Sequence, residues 1–110
     1  MRHINILMFF TLSLSASDMR ALLFNGNCIT CHEKQRSISA PSITLIKENY
    51  LIAFPVKKDF VEFMSKWVKK PNSETSIMQN SIQKHGLMPD LGYDISTLNE
   101  ISSYIYDTNF

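Results

Sequence analysis

The chain has 110 residues, enough for one domain of ordinary size and too few for two. Hydrophobic residues make up 45% and charged residues 19%, which excludes a disordered chain and a multi-pass membrane protein. With 11 Lys and Arg against 10 Asp and Glu, there is no basic excess to hold nucleic acid.

The first element in chain order is a leader. Met1-Arg2-His3 carries the positive charge, Ile4 to Leu14 is an apolar run, and Ser13-Leu14-Ser15-Ala16-Ser17 offers small residues for cleavage. The pattern predicts a secretory signal peptide over residues 1–17. The alternative is an uncleaved anchor that tethers the protein to a membrane, but the run falls short of the ~20 residues a spanning helix needs. Export is implied either way, and no cysteine near the cleavage point supports a lipoprotein. Removing residues 1–17 takes away Arg2, leaving 10 basic and 10 acidic residues in the mature chain.

Asp18 is expected to cap a short helix with Met19, Leu22 and Leu23 on one face, stopped by Asn25-Gly26-Asn27. Residues 33–40 are polar and patternless, as in a loop. Between Pro41 and Phe54, Ile43, Ile46 and Tyr50 suit a helix face, whereas residues 50–54 also fit an extended segment; one short helix is the preferred reading. The clearest stripe follows: Phe60, Val61, Phe63, Met64, Trp67 and Val68 predict an amphipathic helix, opened by Asp59 and Glu62 as a capping pair and closed by Pro71. Its other side carries Lys58, Lys66, Lys69 and Lys70. Another short helix is expected between Ser73 and Gly86, then a turn-rich stretch from His85 to Tyr93. The last helix starts at Asp94 or Thr97 and aligns Leu98, Ile101 and Ile105 beside Tyr104. Nothing asks for a sheet, so the domain is expected to be all-α.

Both cysteines lie in Cys28-Ile29-Thr30-Cys31-His32, the spacing of c-type haem attachment. Two thiols three positions apart on a helical turn can each add to one haem vinyl group, and the histidine directly after them is held beneath the iron as an axial ligand. Covalent attachment keeps the haem in a domain too small to enclose it by packing alone. A thioredoxin-like dithiol shares the cysteine spacing but belongs in a βαβ pattern. A structural zinc site needs four ligands, and after these three the only further imidazole of the mature chain is His85. A plain disulfide gives no reason for the adjacent histidine.

With this motif in place, the mature chain resembles a small bacterial monohaem cytochrome c of the class I type over nearly all of its length. Phe24, four residues before the first cysteine, stands where that family has an aromatic residue, and Ala40-Pro41 stands where a proline carbonyl accepts the histidine ring N–H. Such a bond fixes the ring and raises its basicity. Met88-Pro89, shortly before the last helix, matches the family's methionine ligand. One departure is Arg20, where the family often has the glycine that lets the first and last helices cross closely. Ile101, Tyr104 and Ile105 remain available to pack on Leu23 and Phe24.

The resemblance implies a helical domain over residues 18–110 wrapped around one covalent haem, with Cys28 and Cys31 as thioethers and His32 and Met88 as axial ligands. Met78 and His85 are the competing distal donors; a core methionine and an exposed loop histidine are their ordinary roles. Trp67 is placed in the haem pocket, or simply in the core. Lys57, Lys58, Lys66, Lys69 and Lys70 either steer an acidic redox partner or form a solvated helix face. The expected function is a periplasmic one-electron carrier, not an enzyme, that meets other periplasmic redox proteins transiently. A haem subunit of a larger oxidoreductase complex, or an open-site haem protein acting on peroxide or sensing gas, are the alternatives.

Overall fold

The computed structural model of the chain describes residues 16–110 and His3. The leader predicted over residues 1–17 therefore lies outside the described residues, His3 and two helical positions apart. Five α-helices and no strand occur among the described residues: α1 (Ala16–Asn27), α2 (Ile43–Ala53), α3 (Lys57–Lys69), α4 (Gln79–His85) and α5 (Ile95–Asp107). The all-helical expectation holds. No helix among these residues is long and apolar enough to cross a membrane.

The centre of the fold is α5. Its buried residues Leu98, Ile101, Ser102 and Ile105 recur at helical spacing and face α3, with which it packs most extensively, and α1. On α3 the matching positions are Phe60, Met64 and Ser65. Ser65 and Ser102 meet at the crossing, hydroxyl to hydroxyl at 3.1 Å, so two small side chains bring the axes together and satisfy each other's polarity.

Local signals explain the starts of α2 and α5 and the end of α4. The Ser42 hydroxyl accepts from Leu45 N–H and caps α2, and the Asp94 carboxylate accepts from Thr97 N–H at 2.7 Å and caps α5. Residues 50–53 are helical, as preferred. Gly86 ends α4 at a φ of 82°, where an L side chain is strained.

Three expectations need correction. Asp18 lies inside α1 rather than capping it. The buried face of α1 is rotated: Met19 and Leu22 are exposed, while Phe24 is fully buried against Tyr104 and Phe110. The large ring gains most from burial, and Arg20 is turned to the same side by its bonds to Ser103 and Asp107 on α5. Finally, α3 begins at Lys57 behind an uncapped Val56, so Asp59 falls in the first turn, where its charge suits the helix dipole, and Glu62 pairs with Lys66 at 2.7 Å instead of capping.

Candidate functional site

The hydrogen bonding of α1 runs on past its end. Cys28 N–H donates to the Phe24 carbonyl and His32 N–H to the Cys28 carbonyl, both at 2.9 Å, so the cysteine motif is wound as a continuation of the helix. The polar loop after it folds back at once. Ile43 N–H reaches the Glu33 carbonyl at 2.8 Å, Thr44 donates through N–H and Oγ1 to the Lys34 carbonyl, and Ser42 N–H reaches Ser37 Oγ at 2.8 Å. These bonds return the start of α2 to the motif and set the Pro41 carbonyl 2.8 Å from His32 Nδ1.

That contact defines the imidazole chemically. A carbonyl only accepts, so Nδ1 carries the proton and donates it, and in the neutral ring the lone pair belongs to Nε2. His32 is held below the usual imidazole range, chiefly by burial and further by the charge of His85, with the Pro41 bond working in the opposite direction. The ring is therefore neutral near pH 7 and able to donate its Nε2 lone pair. Burial, and then the neighbouring Cys31 charge, pushes the Cys28 thiol up to about 11, whereas Cys31 is exposed.

A cavity of about 260 Å³ opens beside the motif. Cys28, Cys31, His32 and Pro41 form one part of its wall, and Met78, His85 and Met88 form another. Tyr50 from α2, Met64, Trp67 and Val68 from α3, and Leu98, Ile101 and Ile105 from α5 supply the apolar remainder. Among the described residues, no Lys, Arg, Asp or Glu lines it. The donors are thus gathered around one apolar, concave space, the usual character of a small-molecule or cofactor site.

All the predicted site residues line this cavity. Trp67 keeps its indole N–H outside it, donating to the Asn72 carbonyl at 3.0 Å. The three distal candidates differ in setting. Met78 packs on the hydrophobic core, His85 ends α4, and Met88 sits in the loop after α4 without packing on that core. Sequence reasoning missed Met64, Tyr50, Asn27 and Tyr93 as wall residues. The first two carried only a helical periodicity, and nothing local marks Asn27 and Tyr93, which bond to each other across 66 positions.

The lysine row of α3 is largely engaged. Lys57 bonds to Asp107 at 2.8 Å, Lys66 to Glu62, and Lys69 to the Tyr93 carbonyl. Among the described residues no cluster of three or more His, Cys, Asp or Glu side chains is arranged to hold a bare metal ion. The chain matches no family model, no curated protein and no solved structure.

Proposed function

We propose that this chain is an exported c-type cytochrome, a one-electron carrier of the periplasm related in kind to the small class I monohaem proteins. The observation that carries the reading is the His32 ring, fixed at Nδ1 by the Pro41 carbonyl, on the wall of an apolar cavity shared with both cysteines and Met88. A bare metal ion gains little from such a wall, whereas a large apolar macrocycle carrying its own iron suits it.

Cys28 and Cys31 would hold the haem through thioether bonds, each thiol adding across one vinyl group. His32 would bind the iron through Nε2, and Met88, which lines the same cavity, would supply a sulfur. When bound, the haem supplies a one-electron ferric/ferrous couple whose potential a thioether ligand raises. The remaining work belongs to the polypeptide. Pro41 orients the imidazole and increases its basicity. The apolar side chains of α2, α3 and α5 would exclude water, and the absence of Lys, Arg, Asp and Glu from the wall among the described residues keeps the surroundings of low dielectric. With His32 and Met88 both bound, the iron would have no place for a substrate, which favours a carrier over an enzyme. Its partners would be other redox proteins, met through a small transient interface.

The test is expression of the full chain with a haem-attachment system. Pigment must stay with the polypeptide through acid and organic solvent, and the oxidised protein must show the weak near-infrared band of methionine sulfur on low-spin iron. Met88→Ala should retain the pigment and lose the band. Colourless protein sinks the whole reading, and a band that survives Met88→Ala removes residue 88 as the ligand.

A further inference from the structure

Residues 86–92 form neither helix nor strand, yet they close one side of the cavity. Gly86 and Gly92 bracket this strap at φ values of 82° and 73°. A Cβ at either would meet nothing within 4 Å, so these glycines serve the direction of the backbone and not a shortage of space. Between them Leu87 and Leu91 stay nearly half exposed. A strap without a core of its own is held by its ends.

Its far end is tied twice. The Tyr93 hydroxyl donates to Asn27 Oδ1 at 2.9 Å, and Asn27 in turn donates from Nδ2 to the Leu23 carbonyl at 2.7 Å. Lys69 Nζ donates to the Tyr93 carbonyl at 2.6 Å. Asn27 directly precedes Cys28, and both Asn27 and Tyr93 line the cavity. The phenol thus joins the end of the strap to the helix that delivers the cysteine motif.

We propose that Tyr93 and Asn27 form a latch that holds the 86–92 strap over the cavity and so positions Met88 as the distal ligand. The inference rests on Met88 being that ligand, and deepens the reading by naming the residues that keep its sulfur in reach. Neither latch residue touches the iron; both are positioning residues. Losing one such partly buried hydrogen bond raises the open fraction of the strap by about five- to tenfold. An added ligand that must displace the sulfur then gains by the same factor.

The experiment uses the full haem-loaded protein and two readouts. Imidazole is titrated against the haem spectrum, and thermolysin cleavage within 86–92 reports opening of the strap irrespective of what binds iron. Tyr93→Phe and Asn27→Ala should each raise imidazole affinity and cleavage rate by about five- to tenfold. In a Met88→Ala background, with no sulfur to displace, Tyr93→Phe should change imidazole affinity by less than about twofold. Unchanged cleavage in Tyr93→Phe overturns the latch, whatever the ligand. Faster cleavage with equal imidazole affinity in Met88→Ala and its parent removes Met88 as ligand, and with it the latch's role in placing one.

Discussion

Where α1 and α3 pack on α5 and α2 packs on α3, rings meet one another: Phe24 lies against Tyr104 and Phe110, and Tyr106, Phe60, Tyr50, Phe63 and Phe54 follow one another at centroid separations of 4.6–6.0 Å. On the side facing α4, equally apolar residues surround open space. The difference is one of partners rather than composition. Phe60 finds rings, while Ile82 and Val68 line a hollow. Tyr50, Met64, Ile101 and Ile105 belong to both regions, buried in the core and forming cavity wall. Cohesion of the chain and capacity for a guest are therefore assigned to different places that share a partition.

The sharpest test of that separation is Phe60→Ala. Phe60 has no exposed surface, and truncating it should lower unfolding free energy by about 3–5 kcal/mol in a denaturant titration. A loss below about 2 kcal/mol would mean the ring side is less tightly packed than its geometry indicates.

The cysteines test the hollow side. With Cys28 raised to about 11 from an ordinary 9.0, it carries roughly a hundredfold less thiolate near neutral pH than an unperturbed thiol. Alkylation of the bare polypeptide, followed by mass spectrometry, should accordingly label exposed Cys31 first. Equal rates would place Cys28 outside the wall.

A smaller effect is expected from Ile82→Ala in the bare polypeptide. Its side chain faces the cavity and is absent from the packed core, so the cost should be about 1 kcal/mol or less, against 2–5 for a packed isoleucine. A larger loss would show the hollow side closing on itself without a guest.

The smallest effect belongs to the rim. Lys57 and Arg20 hydrogen-bond the Asp107 carboxylate and hold its pKa below the usual carboxylate value. The folded state therefore binds this proton more weakly than the unfolded chain, and the contribution is complete above about pH 4 and lost as pH falls through the lower folded value. After discounting for solvent screening at a carboxylate 37% exposed, the stabilisation is roughly 0.5 kcal/mol. Stability curves from pH 5 to pH 2 should converge for Asp107→Asn and the parent; parallel curves would assign the difference to something other than this proton.

Legibility in the sequence followed the range of the interactions. The α3 stripe and the α5 start were readable because period and cap are local: Phe60 and Met64 are four apart, and Asp94 reaches Thr97. The motif and its bond to Pro41, nine residues away, were readable through the resemblance. The packing of Tyr104 on Phe24 was expected and is found, but the exposure of Met19 and Leu22 was not legible, since by local pattern both suit a buried face. Nor was the start of α3, which no side chain caps. Arg20 read as a departure at a helix crossing; its bonds to Ser103 and Asp107, more than 80 positions distant, could be found only in three dimensions.

The carboxylate of Asp107 draws α1 and α3 onto α5, but its two arms stand in different surroundings. The Arg20 side chain is 16% exposed and that of Lys57 46%. Dissolved ions weaken attractions between solvent-facing charges much more than those between sheltered ones. Raising ionic strength therefore frays the lysine arm first and leaves the arginine arm gripping, so a brine that loosens α3 at this corner still finds α1 moored to α5.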